Sequence, residues 1–314
     1  MLIADLEYIA GNPFAGEYRI TEIGFRETTG GRAYLIMHIA DMSGALKVYV
    51  WQDRCKGHTE SIKQMDCIRL HGELRYFHDK WIADAVALEL LARPFDDPVS
   101  LLTADFCPLP DGLERLRALV ESITIKELRD FTLIALSNDS LILPFANVPA
   151  SLNHHHNEPG GLLAHSLECA EMVGSFCQFP QYMRELGIIA ALFHDLGKTR
   201  TMTQEMTRTT TGNLLDHDVL TLEMLSGSLT VLDAKWPDGG LALRYLLSWD
   251  MGRFQLSAPL MTIAEAVRFA DRCSAGLNME GKLYDTHPHQ QLVNPSVGTS
   301  FWRPRWPLSQ LDHG

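Results

Sequence analysis

Residues 182–198 read YMRELGIIAALFHDLGK, and this stretch decides the fold of the second half of the chain. Its apolar residues recur at three- and four-residue spacing, which predicts a helix over 182–196. His194 shares one face of that helix with Gly187, Ala190 and Ala191, and this face should point inward. His194, an ionisable residue, therefore lies on a helix face that is otherwise apolar and predicted to be buried.

Other histidine and aspartate residues interrupt inward-facing stripes in the same half of the chain. His165 lies on a predicted helix, Asp195 follows His194 directly, His217 opens a further helix, and Asp271 lies on the last one. A buried carboxylate needs a cation or a hydrogen-bonded partner. Imidazoles and carboxylates that converge in a helical core are what a divalent metal site requires. Considered alone, each histidine is also consistent with a buried residue whose hydrogen bonds are made within the core. Asp271 alone is also consistent with an ion pair to a neighbouring arginine.

A proline-rich segment separates the helical half from the residues before it. Residues 92–112 contain four prolines, which is typical of a linker. Helical spacing follows over 113–122, 124–137, 161–176, 182–196, 217–232, 241–250 and 259–275. The predicted organisation is a first domain over 1–95, a linker over 96–112, a helical domain over 113–286 and an irregular tail over 287–314.

The first domain reads as five short strands separated by turns, over 17–28, 33–40, 45–51, 67–77 and 80–90. In the third strand Leu46, Val48 and Val50 alternate with other residues, so one face is apolar. Five strands are too few for two full sheets and favour a small closed barrel, with the five-stranded OB-fold as the first candidate. The predicted fold class is therefore a small all-β barrel followed by an all-α bundle.

Composition excludes several classes of protein. Hydrophobic residues make up 46% and charged residues 21%, as in globular proteins. The net charge of −12 excludes a protein that grips nucleic acid through a basic surface, so a phosphate substrate requires metal ions or a local basic groove. With no long apolar run, no signal-peptide pattern and no CxxC among the six cysteines, we expect a cytoplasmic protein with no membrane partner. Oligomeric state stays open, with a homo-oligomer as one expectation.

Three motifs together resemble the H…HD…D signature of the HD-domain phosphohydrolase superfamily. They are GGLLAH at 160–165, LFHDLGK at 192–198 and FAD at 269–271. The resemblance covers roughly residues 150–280. It implies that one divalent metal is held by His165, His194, Asp195 and Asp271. Mn²⁺ is the first expectation for the metal, and Mg²⁺, Fe²⁺ and Ni²⁺ are alternatives.

Within this superfamily the chain resembles the YhaM-type 3′-to-5′ exoribonucleases, which carry an OB-fold ahead of an HD domain. The similar stretches are HHNEPGG at 155–161, LLDH at 214–217 and IADMSGALKVYVW at 39–51. The resemblance implies His217 as a ligand of a second metal. Where the family has Ser-His-His-Gly, this chain has SWDMG at 248–252, so either Asp250 substitutes as a ligand or the site holds one metal. PASLNHHHNEPGG at 149–161 also resembles the HD domains associated with helicases and relaxases of mobile elements.

Three side chains near the motifs are candidates for contact with a substrate phosphate. Lys198 is predicted to contact a non-bridging oxygen, and the alternative is a lysine that balances the helix dipole. His155 and His156 are predicted to touch phosphate or to act as the acid for the leaving oxygen, and the alternative is a surface loop that merely contains histidine. We predict catalytic roles for these three residues and for Asp195.

The barrel offers a candidate surface for a single strand. Cationic and flat side chains lie opposite its apolar face, namely Lys47, Tyr49, Trp51, Arg69, Arg75 and Phe77. Bases stack on such aromatic rings while cations follow the backbone. Residues 17–91 hold ten basic and eleven acidic residues, however, and an alternative is that these aromatic residues pack the barrel on the helical domain.

These observations lead to three functional hypotheses. The first is a metal-dependent phosphodiesterase that acts as a 3′-to-5′ exonuclease on single-stranded RNA or DNA. The second is an HD phosphohydrolase of a nucleotide or cyclic nucleotide. The third is a non-catalytic OB/HD nucleic-acid-binding module of a mobile element. The sequence does not distinguish RNA, DNA and small nucleotides as substrates, and it does not identify the native metal.

Overall fold

The computed structural model describes residues 1–9, 12–57, 61–248, 260–286, 291–293, 298 and 300–303. A closed five-stranded barrel comes first and helices follow, as the sequence predicts. The chain divides into two compact units, one formed by Met1–Asn147 with Glu223–Leu241 and the other by Val148–Leu222 with Ala242–Gly314. The domain boundaries drawn from the sequence near residues 95, 112 and 286 stay a prediction.

Five strands form the barrel: β1 Pro13–Glu27, β2 Ala33–Asp41, β3 Gly44–Trp51, β4 Cys67–Phe77 and β5 Lys80–Leu90. Their order is β1-β2-β3-β5-β4, and β4 pairs with β1 to close the barrel. The β3–β5 pair is parallel and the other neighbours are antiparallel. This arrangement confirms the OB-like barrel.

Alternation along β3 explains which side chains fill the barrel. Leu46, Val48 and Val50 are buried in its core, whereas the residues between them are only half-buried. The β4–β5 connection is a tight turn in which His78 and Asp79 have φ of 48° and 60°. Positive φ at both central residues matches the twist of a two-residue hairpin.

Four helices lie in the same compact unit as the barrel: α1 Gly112–Ser122, α2 Lys126–Leu136, α3 Asp139–Asn147 and α9 Ser226–Lys235. The α2–α9 pair is joined by Asp130, whose Oδ2 accepts from Lys126 Nζ at 2.8 Å and from Lys235 Nζ at 2.7 Å. Between α3 and α9 the chain forms α4 Gly161–Ser175, α5 Gln181–Phe193, α6 Lys198–Thr201, α7 Thr210–Leu214 and α8 His217–Met224. After α9 come α10 Pro237–Leu247, α11 Thr262–Thr286 and the short strands β6 Gln291–Val293 and β7 Ser300–Trp302.

The second unit is built on α4, α5 and α11, which pack on one another and carry the three sequence motifs. Gly187 shows why the inward face of α5 holds small residues. A β-carbon there would lie 2.6 Å from Cγ1 of Ile263 on α11 and 3.0 Å from Cγ1 of Val173 on α4. Close packing of these helices therefore depends on that glycine.

Several elements differ from the sequence-based prediction. The helix predicted over 217–232 divides at Leu225 into α8 and α9, and the helix predicted over 259–275 continues to Thr286. The pattern missed α3, which contains Pro144. The tail predicted as irregular contains, in its described residues, the antiparallel β6–β7 pair, in which Leu292 and Phe301 are register partners. No helix among the described residues has the length and apolar character needed to cross a membrane.

Candidate metal centre

Four side chains bring their ligand atoms together in the second unit: His165 on α4, Asp271 on α11, and His194 and Asp195 in the turn that follows α5. His165 Nε2 lies 3.1 Å from Asp271 Oδ1 and 3.5 Å from Asp195 Oδ2. His194 Nε2 lies 3.4 Å from Asp195 Oδ2 and 3.7 Å from Asp271 Oδ1. Ligand atoms that each lie about 2.0–2.2 Å from one cation are about 3–3.6 Å from one another. The spacing of this cluster therefore suits a single shared cation.

The imidazole of His194 tests whether these residues fit a metal. Its Nδ1 lies 2.8 Å from the carbonyl oxygen of Ala191, so Nδ1 carries a proton and donates it. Its Nε2 is buried and has no hydrogen-bond partner among the described residues. Nε2 thus faces the ionised carboxylates of Asp195 and Asp271, an arrangement that is stabilised by a positive charge, either a proton on Nε2 or a metal ion bound by all three groups. A divalent metal fits this donor set.

The pKa values reflect the same concentration of negative charge. Burial would lower the pKa of His194, but the carboxylates of Asp195 and Asp271 outweigh it and raise the pKa to about 10. Burial would raise the pKa of Asp195, yet the charges of Lys198 and His194 hold it well below its usual range. Burial likewise opposes the lowering of the Asp271 pKa by the neighbouring imidazoles of His165 and His194. Both carboxylates are therefore ionised at neutral pH.

A serine and a glutamate orient the imidazole of His165. The hydroxyl of Ser274 donates to Glu168 Oε2 at 2.6 Å. Because its proton is used there, the Ser274 oxygen accepts from His165 Nδ1, which lies 2.9 Å away. His165 Nδ1 therefore carries the proton, and Nε2 presents its lone pair to the carboxylates of the cluster. Such partners fix the tautomer and the ring orientation of metal-binding histidines.

His217, at the start of α8, extends the cluster through the second oxygen of Asp195. His217 Nε2 lies 3.1 Å from Asp195 Oδ1, and its two neighbours Asp216 and Asp218 place carboxylate oxygens 2.9 and 3.2 Å from its ring nitrogens. Gly197 makes this approach feasible, since a β-carbon there would lie 1.9 Å from the carbonyl oxygen of His217. Asp195 thus lies between two sets of side chains, the cluster with His165, His194 and Asp271 on one side and residues 216–218 on the other.

A cavity of about 340 Å³ opens onto the cluster. His155 and Lys198 line it together with the cluster and with His217, and Lys198 Nζ lies 2.5 Å from Asp195 Oδ2. Burial, helped by the charges of His165 and Lys198, lowers the pKa of His155 to about 4. Apolar side chains form another part of the lining, namely Leu246, Leu247, Ala264 and Val267.

The structure separates His156 from His155, although the sequence predicts one role for both. His156 is buried and does not line the cavity. Its Nε2 lies 3.2 Å from Ser274 Oγ and 3.3 Å from Glu168 Oε2, and its backbone N–H donates to Asn278 Oδ1 at 2.8 Å. Its position is therefore behind His165, among the groups that orient that ring.

Residues 162–276, which contain all four cluster residues, match the family model for the HD domain. These residues form an HD domain.

Over most of its length the chain is also similar to bacterial proteins named 3′-5′ exoribonuclease YhaM. It is 24% identical over 284 residues to the protein of Oceanobacillus iheyensis, covering 87% of each chain. It is 23% identical over 270 residues to that of Listeria monocytogenes serotype 4b (strain F2365), covering 81% of this chain and 82% of the relative. It is 20% identical over 263 residues to that of Bacillus subtilis, covering 80% and 81%. The HD domain and these similarities support a metal-dependent phosphohydrolase.

The sequence missed part of the HD domain's polar network. Cys169 on α4 and Ser274 on α11 contact His165, and Glu168 accepts from Ser274. Cys169 shares the His165 face of its own helix, whereas the Ser274–Glu168 contact forms only because α11 packs on α4. Burial raises the pKa of the Cys169 thiol, which therefore stays protonated. Asp216 and Asp218 could have been found, since they flank a histidine already singled out. Asp250, predicted as a substitute ligand, lies outside the described residues.

On the barrel, five of the six predicted strand-binding residues lie on one surface. Lys47 Nζ is 5.2 Å and Arg75 Cζ 5.6 Å from the centre of the Tyr49 ring, and Arg75 also lies over Phe77. Tyr34 stacks on Trp51 with ring centres 4.9 Å apart. Arg69 is elsewhere on the barrel, where Glu17 Oε1 accepts from its Nη2 at 2.6 Å.

Proposed function

We propose that the chain is a metal-dependent exonuclease that removes nucleotides from the 3′ end of single-stranded RNA or DNA. The observation that carries the proposal is the buried Nε2 of His194, which lacks a partner among the described residues and faces two ionised carboxylates. The similarity to exoribonucleases across 80–87% of the chain supports a polymer as the substrate.

Each residue of the cluster has a defined task in this proposal. His165, His194, Asp195 and Asp271 would hold the cation. When bound, a divalent cation lowers the pKa of a water molecule and polarises a phosphoryl oxygen. Lys198, held in place by Asp195, adds a positive charge to the cavity near the scissile phosphate. His155 lines the same cavity and would lie near the leaving group.

The lining of the cavity suits a terminal nucleotide. Its polar part carries the metal donors, and its apolar part, with Leu246, Leu247 and Val267, offers a surface for a nucleobase. Apolar contacts do not select among bases, so removal of nucleotides should tolerate every sequence. A free nucleotide would also fit this description, which keeps a nucleotide phosphohydrolase as the second candidate.

On the barrel, the surface around Tyr34, Tyr49 and Trp51 would hold a more distant part of the strand. Its rings provide stacking platforms, and Lys47 and Arg75 provide positive charge. Because the whole chain carries a net charge of −12, such local features would have to supply the attraction to phosphate.

One experiment separates the candidates. A 5′-labelled single strand and free mononucleotides are incubated with the protein and Mn²⁺, Mg²⁺, Fe²⁺ or Ni²⁺. We expect a ladder of shortening strands and untouched mononucleotides. Asp271→Asn should abolish cleavage and lower the bound metal measured by elemental analysis, while circular dichroism retains the helical signal. Hydrolysis of mononucleotides alone would favour the second candidate, and unchanged turnover in Asp271→Asn would refute the metal assignment.

A further inference from the structure

A second cavity of about 340 Å³ adjoins the metal-centre cavity in the same compact unit. The two share Lys198 and His217 in their linings. From these two residues the second cavity extends along the segment 150–154, before α4, and along the residues that follow α6. The two cavities therefore meet at Lys198 and His217.

Arg208 gives this second cavity its cationic character. It is exposed at the lining, and among the described residues no carboxylate lies within ion-pair distance of it. Lys198, the other cation of the lining, already contacts Asp195 Oδ2. In a chain with a net charge of −12, a guanidinium without a carboxylate partner beside an acidic metal centre is suited to an anion supplied from outside.

The backbone around Arg208 is held in a defined conformation. Arg208 forms a β-bridge with Met202, and the backbone N–H of Thr203 donates to the carbonyl oxygen of Thr207 at 2.9 Å. On the other side of Arg208, the N–H of Thr209 donates to the carbonyl oxygen of Thr201 at 3.0 Å. The guanidinium therefore projects from a fixed base next to α6, the helix that begins at Lys198.

We infer that this second cavity binds the sugar–phosphate backbone upstream of the scissile bond, and that Arg208 contacts one of its phosphates. The inference rests on the proposed function and adds the path by which a strand leaves the metal centre. A phosphodiester chain carries a negative charge at every nucleotide, so a strand whose end is in the first cavity brings further phosphates into the second. The site takes RNA or DNA, because a phosphate contact carries no sequence information.

The test compares a long substrate with a short one. Steady-state kinetics are measured for Arg208→Gln with a 5′-labelled 20-nucleotide strand and with thymidine 5′-(p-nitrophenyl phosphate), which has no upstream nucleotides. We expect KM for the strand to rise roughly fivefold to tenfold and kcat/KM for the small diester to stay unchanged. The slope of log(kcat/KM) for the strand against log[salt] should become shallower by about 0.7, the contribution of one phosphate contact in a single strand.

Arg200→Gln is the matched control, because Arg200 is exposed on α6, carries the same charge and lines neither cavity. It should leave both substrates unaffected. The inference is overturned if Arg208→Gln leaves the KM and the salt slope for the strand unchanged, if both variants weaken the strand equally, or if the small diester is impaired as much as the strand. Absence of strand cleavage by the wild-type protein with every metal would instead overturn the proposed function.

Discussion

At the scale of single residues, the hydroxyl of Ser274 determines which nitrogen of His165 faces the metal donors. Ser274→Ala removes the acceptor for His165 Nδ1, and Glu168→Gln weakens the acceptor for the Ser274 hydroxyl. Loss of such orienting partners lowers metal affinity about 10- to 100-fold. We expect both variants to bind Mn²⁺ more weakly by this factor in isothermal titration calorimetry.

Two comparisons make this prediction specific to orientation of the ring. Ser175→Ala, an exposed serine at the end of the same helix α4, should bind Mn²⁺ as the wild type does. Activity of the Ser274 and Glu168 variants should recover at saturating Mn²⁺ with KM for substrate unchanged. Wild-type metal affinity in both variants would show that the hydrogen-bonded chain does not orient His165.

Some site residues could be predicted from the sequence because their spacing alone identifies them. His165, His194, Asp195 and Asp271 interrupt apolar stripes, and a buried ionisable group on such a stripe demands a partner. Ser274 and Glu168 could not be found in this way, since each is an ordinary polar residue until α4 and α11 pack together. The sequence predicts one role for His155 and His156, but the positive φ of 44° at His156 belongs to a turn that places the two adjacent rings in different surroundings.

At the scale of secondary-structure elements, Gly197 allows the start of α8 to approach the end of α5. A β-carbon at Gly197 would collide with backbone atoms of His217 and Thr221, and backbone cannot yield as the tip of a side chain can. We expect Gly197→Ala to destabilise the protein by about 1–3 kcal/mol, the usual cost of overpacking. It should also displace His217 from Asp195 and lower kcat by more than tenfold.

The control for this prediction is Gly276→Ala, because Gly276 lies in α11 with open space around its Cα. Alanine in a helix is favoured over glycine by about 0.5–1 kcal/mol, so this variant should be slightly more stable in urea unfolding. If Gly197→Ala unfolded at the same urea concentration as the wild type and kept its kcat, α8 would not depend on this close approach.

A second element-scale contact joins β1 to α3 within the first unit. Arg19 on β1 is fully buried, and its Nη2 donates to Asp139 Oδ1 at 2.9 Å, while Arg93 contacts the other oxygen. We expect Asp139→Asn to lower the free energy of unfolding by about 2–3 kcal/mol. This value lies below the range for a fully buried pair because a quarter of the Asp139 side chain is exposed.

The same contact predicts a pH dependence. Burial would raise the pKa of Asp139, but the hydrogen bonds and charges of Arg19 and Arg93 outweigh it and lower the pKa. A carboxyl group whose pKa falls on folding stabilises the protein above its unfolded pKa, near 3.9, and loses that contribution as the pH drops through its folded pKa. The difference in unfolding free energy between wild type and Asp139→Asn should be constant from pH 7 to about 4.5 and then shrink. Shrinkage that begins above pH 5 would contradict the assignment.

The sequence predicted most elements because each shows one clear periodicity. Buried and less buried residues alternate along β3, and α4 and α5 carry apolar residues at helical spacing. The helical spacing of apolar residues gave a wrong prediction where it continues across the boundary between two helices, as at Leu225 between α8 and α9. It also missed α3, since a proline inside a segment argues against a helix even though Pro144 is accommodated there.

At the scale of the whole molecule, the order of barrel and helical region could be read from the sequence, whereas the division into units could not. Helices α1–α3 belong to the same compact unit as the barrel, and so does α9, which is distant from them in sequence. Contacts such as Asp130 with Lys235 create this grouping. Local sequence patterns carry no information about which distant helices meet.

The negative charge of the whole molecule leads to a prediction about how the barrel surface binds a strand. Because a net charge of −12 opposes a polyanion, strand binding should depend on stacking as well as on local cations. Tyr34→Ala and Trp51→Ala each remove one ring of the stacked pair. Loss of one base stack costs about 1–3 kcal/mol, so each variant should raise KM for a 20-nucleotide strand at least fivefold.

Tyr8→Ala, at an exposed tyrosine outside this surface, is the control. Hydrolysis of a small diester should be the same in all three variants, because it needs only the metal centre, and an unchanged KM for the strand in both ring variants would remove the barrel surface from the path of the substrate.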